Sequence, residues 1–321
     1  MSWKRLLIGV DESPEGAAAA TLGWRLGQQL RVECDLVHAV REYWITFAED
    51  GLVERAAEFQ LAVITAARQR VASALGPHVP EEMIQRMIVR FGRTAVVLRE
   101  VARELEADAI LLGGKHHSML NRWVGGSTSH DTVRTAGVQV LVTASPADHV
   151  FRRVLVAVDL SAAAEPTAAA ALEAATVLGA ELRAVSVIET PIVSPTGTAP
   201  FARTPFYEIA ERELQRRVWP LFEGRSVTTA IRPGPVVETI RDEAVEWGAD
   251  LVVVGSHGKG WGERLLLGSV TERLLNHLPT SLLVVPVGAH QLETPNAVSR
   301  GKPQKRAARR RGRKPHPATR E

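Results

Sequence analysis

Asp250-Leu-Val-Val-Val-Gly-Ser-His-Gly258, followed after nine residues by Gly268-Ser269-Val270, decides how this chain folds. The apolar run 251–254 reads as a buried strand of a parallel sheet, and 270–278 as the helix after it. A strand, a glycine-bearing loop and a helix N-terminus form a ready phosphate cradle. Glycines admit close backbone approach, and the helix dipole favours an anion. A damaged copy of the same stretch lies upstream: Gly113-Gly-Lys-His116, nine residues, then Gly126-Ser127.

The copy extends well beyond the loop. Gly92 and Gly234, Asp108 and Asp250, Gly113 and Gly255, Gly126 and Gly268, Ser127 and Ser269 are each 142 residues apart. The opening strands, ending in Asp11 and Asp159, match at an offset of 148, so insertions and deletions fall before Gly92. A period of that length is a duplicated domain. Strands are expected over 5–10, 34–40, 87–90, 109–112 and 138–142, then over 154–158, 182–188, 227–231, 251–254 and 282–285. Helices are expected over 14–29, 52–74, 94–105 and 127–135, with the second half in the same order. The fold class is α/β: two tandem doubly wound domains, Rossmann-like, each on a five-stranded parallel sheet. The divisions are 1–147 with a degenerate loop, 152–288 with an intact one, and a disordered basic tail over 289–321. Segments 43–51 and 190–205 are the least regular.

Composition bounds the rest. A length of 321 residues suits two domains, and 45% hydrophobic content supports sizeable cores. The single cysteine, Cys34, excludes a disulfide framework within the chain and any multi-cysteine zinc site. No leader-like or membrane-spanning apolar stretch is present, so a cytoplasmic location is expected. The net charge of +3 divides unevenly: residues 299–321 hold ten Lys or Arg against one acid, so +9 in the tail leaves −6 on the body. Such a tail, 300–314 above all, suits non-specific contact with nucleic acid or an anionic surface, or serves only as a solubilising extension.

The motif at Gly255, Gly258, Gly268 and Ser269 has two readings. In one, amides and a hydroxyl at the helix start hold phosphates, and Asp159 meets a base, a ribose or a divalent ion. In the other, the glycines are turn residues, Ser269 is an ordinary N-cap and Asp159 makes an Asx-turn. The loop has neither a Walker lysine nor G-x-G-x-x-G. His257 and Lys259 either touch phosphate or stay solvated, and the histidines 116, 117 and 130 lack chelating spacing, so no metal site is assigned.

With Asp159 after the first strand, Gly255-x2-Gly258-x9-Gly268-Ser269 resembles the ATP-binding branch of the universal stress protein family, and the likeness spans nearly the whole chain as two consecutive domains. The resemblance implies that ATP, with or without magnesium, is held by Ala157, Asp159, Val187, Gly255, Gly258, Gly268, Ser269 and Val270. It also implies that domains dimerise through their last strands, here 138–142 against 282–285 within one chain, and leaves a homodimer open. Asp11, Gly113, Gly126 and Ser127 mark a weaker first-half site, because His116 replaces the middle glycine and Ala39 stands where Val187 stands. Alternatively, His116 rotates outward or donates to a phosphate. No nucleophile–base pair is visible, so binding is favoured over catalysis. The function this implies is a nucleotide-dependent stress or dormancy regulator with a protein partner not named by the sequence. The alternatives are a weak magnesium-dependent ATPase or nucleotidyl enzyme and a nucleic-acid-associated protein anchored by the tail.

Overall fold

The computed structural model describes residues 3–41, 52–114, 128–144, 150–189, 205–257, 267–277 and 280–287. The first half runs β1 (Arg5–Gly9), α1 (Pro14–Leu30), β2 (Glu33–Val40), α2 (Leu52–Leu75), α3 (Glu81–Gln85), β3 (Ile88–Phe91), α4 (Thr94–Glu104), β4 (Ala109–Gly113), α5 (Thr128–Thr135) and β5 (Gln139–Thr143). The second runs β6 (Arg153–Ala157), α6 (Ala164–Leu178), β7 (Glu181–Ile188), α7 (Pro205–Arg217), a 3₁₀ turn (Trp219–Phe222), β8 (Val227–Pro233), α8 (Val236–Trp247), β9 (Leu251–Gly255), α9 (Ser269–His277) and β10 (Ser281–Val285). All ten expected strands are present, within a residue or two of their expected ends. The tail lies outside the described residues.

The two five-stranded sheets are one. Strand order is β3-β2-β1-β4-β5-β10-β9-β6-β7-β8. Within each half every pair is parallel, and the halves join through antiparallel β5 and β10, with Val140, Leu141 and Val142 opposite Val284, Leu283 and Leu282. Each of these strands would otherwise leave an apolar edge able to recruit another chain, and pairing removes both edges at once. The expected pairing of 138–142 with 282–285 is therefore observed.

Side chains alternate between two layers. Leu6, Ile8, Leu141 and Leu283 face the layer holding α1 and α6, while Leu7, Val140, Val142, Leu282 and Val284 face the opposite one. Each core contains residues of both halves. In α1, Ser13 accepts from the Gly16 amide at 3.1 Å and Pro14 pre-sets the first turn, ahead of Ala17–Ala20. Cys34, largely buried beneath α1, has its thiol pKa pushed up to about 12 by desolvation.

The repeat landmarks prove to be mostly scaffold. Gly92 and Gly234 adopt φ of +140° and +139°, closing the turns after β3 and β8 in a conformation that only glycine enters freely. Asp108 takes the Lys4 and Arg5 amides at 2.6 and 2.9 Å; Asp250 takes those of Arg152 and Arg153 at 2.8 and 3.0 Å. Each carboxylate thereby satisfies donors at the start of its half's first strand.

The halves differ where β7, β8 and α8 meet. Glu243, 3% exposed, receives Arg183 Nη1 on one oxygen and Arg232 Nε on the other, both at 2.8 Å. Arg183 also lies over the Trp247 ring at 4.8 Å. Among the described residues no helix is long and apolar enough to cross a membrane.

Candidate nucleotide site

In each half the chain adds strands outward from the first, then crosses back to place the fourth on its other side, so the sheet order reverses between β6 and β9. Clefts outside the carboxyl ends of strands at such a point are where open α/β sheets bind ligands. The β6–β9 pairing runs as far as Val156 opposite Val253, so Ala157 to Asp159 and Gly255 leave the sheet beside each other. Val187 sits near the end of β7, opposite Arg232 of β8; Ala39 holds the matching place opposite Arg90.

The loop after β9 is held by Ser256, which is 5% exposed. Its amide donates to the Val285 carbonyl at 2.8 Å, its carbonyl accepts from Gly268 at 2.9 Å, and its hydroxyl accepts from the Val287 amide at 3.0 Å. The hydroxyl also pairs with His257 Nδ1 at 2.9 Å. From the other side, buried Thr271 donates its hydroxyl to the Gly255 carbonyl at 2.8 Å. β9, the start of α9 and the segment after β10 are thereby tied into one unit. Ser256→Ala leaves the Val287 amide without its acceptor, so a loss of about 1–3 kcal/mol is expected in urea unfolding.

That bonding defines the start of α9. The Gly268 amide donates to the Ser256 carbonyl. Gly268 is itself the N-cap, its carbonyl taking the Glu272 amide at 2.9 Å, and Ser269 is the first helical residue, exposed, rather than the cap. At this end the amides of Ser269, Val270 and Thr271 have no partner inside the helix, and the Ser269 hydroxyl lies beside them. Asp159 does make an Asx-turn: Oδ1 accepts from the Ser161 amide at 2.9 Å and from its hydroxyl. Asp11 repeats this with Ser13.

Gly255 is needed for space. A Cβ there would come 2.9 Å from the Thr167 hydroxyl and 3.2 Å from both Ala163 Cβ and the His257 carbonyl. The Thr167 hydroxyl is itself buried, with no hydrogen-bond partner among the described residues. The first half is tighter: a Cβ at Gly113 would lie 2.3 Å from the Glu15 carbonyl oxygen. Gly114 keeps the backbone bond to Thr143 at 2.7 Å but brings no hydroxyl where Ser256 has one. Gly258, His116, Gly126 and Ser127 lie outside the described residues.

The model of the universal stress protein family matches residues 2–144 and, a second time, residues 151–286. The chain belongs to that family. A universal stress protein of Mycobacterium tuberculosis H37Rv is 28% identical over 303 residues, covering 87% of this chain and 96% of the relative. One from Mycolicibacterium smegmatis is 27% identical over 293 residues, with the same coverage of 87% and 96%. Among solved structures, a universal stress protein from Archaeoglobus fulgidus superposes with a TM-score of 0.59 at 21% identity, covering 90% of this chain and 100% of that one. A functionally unknown protein from Pseudomonas aeruginosa PAO1 gives 0.55 at 18%, covering 89% and 93%. These two structures bear on the fold alone, and the match to the first, a universal stress protein, extends over both halves.

Reading the motif alone overlooked Ser256, Thr271 and Thr167. The signal was available in the repeat, because the matching positions carry Gly114, Ser129 and Ala19. The half with the intact motif is the one that carries side-chain hydroxyls at positions 256 and 167.

Proposed function

We propose that the second half binds an adenine nucleotide, ATP with or without magnesium, and that the protein acts as a nucleotide-dependent regulator rather than a dedicated catalyst. The observation that carries this reading is the convergence of the α9 N-terminus, the Cβ-free backbone of Gly255 and the Asp159 turn at one switch point. The residues fit such a ligand: amides without a partner inside the helix and a hydroxyl suit phosphate oxygens, and the buried Thr167 hydroxyl leaves a polar group beneath the loop. In this reading Ser269 and Val270 donate to phosphate, while Ala157, Asp159 and Val187 flank the nucleoside. Gly258 and Gly268 shape the loop. Asp11 and Gly113 belong to a weaker first-half site, its strand end packed directly on the backbone of α1.

Ser269→Glu sets a negative charge where the phosphate is held, on an exposed residue whose change leaves the core intact. ATP titration, with and without magnesium, should give one strong site per chain and at least a tenfold weaker Kd in this variant. Ser127→Glu should leave the strong site unchanged. Equal affinity of wild type and Ser269→Glu would remove the assignment.

A further inference from the structure

Thr167 of α6 behaves unlike five other helical threonines of this chain. Thr21, Thr65, Thr132, Thr135 and Thr176 each donate the side-chain hydroxyl to the carbonyl four residues back, at 2.6–2.8 Å. That bond satisfies a hydroxyl within its own helix. Thr167 has the same carbonyl within reach, since its own amide donates to Ala163 at 3.1 Å. Its hydroxyl does not take it, and is buried with no hydrogen-bond partner among the described residues.

The hydroxyl lies toward the loop after β9 instead. It is 2.9 Å from the place a Cβ of Gly255 would take, and the His257 carbonyl oxygen is 3.2 Å from the same point. Donor and acceptor therefore flank one gap, which the missing side chain of Gly255 keeps open. The carbonyls of Gly255 and Ser256 already accept from Thr271 and Gly268. A carbonyl oxygen has two lone pairs, so that of His257 can take a further bond. In the first half Ala19, fully buried, stands at the place of Thr167, and the Gly113 Cβ position is filled by the Glu15 backbone. Neither the hydroxyl nor the gap is repeated there. A buried hydroxyl left unpaired costs free energy, and in a native structure it marks a strained or functional position.

We infer that Thr167 is a positioning residue of the second-half site: when nucleotide binds, the His257 carbonyl turns onto the Thr167 hydroxyl, and that bond holds the loop. This rests on the nucleotide reading proposed above and adds to it a residue that does not touch the ligand. A trans peptide sets its C=O and N–H on opposite sides, so a carbonyl drawn inward to α6 turns the following amide away from α6. An amide turned that way is a donor for a phosphate oxygen. The free protein leaves the hydroxyl unpaired and the bound one pairs it. Part of the affinity for nucleotide therefore comes from a bond made within the protein.

ATP titration of the full chain, wild type against Thr167→Ala and Thr167→Ser, tests this. Thr167→Ala, which installs the first half's own residue, should weaken the Kd by about fivefold or more. Thr167→Ser keeps the hydroxyl and should stay within about twofold of wild type. Both variants lose the same methyl group, so their comparison isolates the hydroxyl. In urea unfolding without nucleotide, Thr167→Ala should be at least as stable as Thr167→Ser, because it removes an unpaired buried group. Equal ATP affinity of wild type and Thr167→Ala overturns the inference and leaves the nucleotide reading intact. An equal loss of affinity in both variants does the same. So does a free Thr167→Ala less stable than free Thr167→Ser, which would mean that the hydroxyl already has a partner. A wild-type protein that binds no ATP removes the nucleotide reading and this inference with it.

Discussion

Leu283→Ala should lower the unfolding free energy by about 3–5 kcal/mol, at the upper end of what a buried leucine truncation costs. Leu283 is fully buried, sits at the middle of the antiparallel pair opposite Leu141, and lies in the core layer common to both halves. Its loss removes dispersion contacts and transfer free energy, as at any core leucine. A cavity between α1 and α6 adds to this. Leu283 already lines this void of about 260 Å³, so the space it vacates merges with an opening that the two helices do not close. Residual cavity volume is what separates costly truncations from cheap ones. Leu111, equally buried in β4 and not lining that void, is the control, and Leu111→Ala should cost less. Urea unfolding of the three proteins measures the difference. A single transition is also expected, since each core contains residues of both halves. A cost for Leu283→Ala below that of Leu111→Ala would mean that the β5–β10 pair relaxes around the gap.

The sequence revealed the strands because a parallel sheet covered on both faces writes its strands as short apolar runs, and 251–254 and 109–112 are clear cases. It revealed the duplication because Gly92 and Gly234 hold backbone conformations, and Asp108 and Asp250 hold hydrogen bonds, that other residues do not supply. The joining of both sheets was not legible from pattern. Nothing in Val140-Leu-Val or Leu282-Leu-Val states its partner, and only the family resemblance pointed to that pair. α3 escaped because five residues are too few to display a helical period. At the loop after β9, spacing does not determine which amides are already bonded within the protein. A glycine before a helix can offer its amide to a ligand or spend it on the preceding loop, and only the position of the Ser256 carbonyl decides between these.

Glu243→Ala should cost about 2–4 kcal/mol, and the reason lies in what it leaves behind. The carboxylate is 3% exposed and takes a guanidinium on each oxygen, at 2.8 Å from Arg183 and 2.8 Å from Arg232. Breaking such a cluster from one side strands the remaining charges, which costs about 3–5 kcal/mol when they are fully buried. Here Arg183 and Arg232 keep 27% and 44% of their side-chain surface, so water recovers part of the loss and the lower figure follows. The cluster binds α8 to β7 and β8, so the same change should loosen the strand that carries Val187 beside the nucleotide cleft. The first half indicates the remedy. Where the second half has Glu243 it has Val101, fully buried, and Asp35 stands in place of Arg183, while Arg90, the counterpart of Arg232, pairs with Glu104 instead. An apolar residue thus fills the same place in the same fold. Joint replacement, Arg183→Leu with Glu243→Val, should therefore recover most of the stability lost in Glu243→Ala, because it removes the buried carboxylate together with its main partner. Thermal and urea unfolding of the single and double variants decide the matter. A double variant no more stable than Glu243→Ala would show that the ion cluster contributes net stability in its own right.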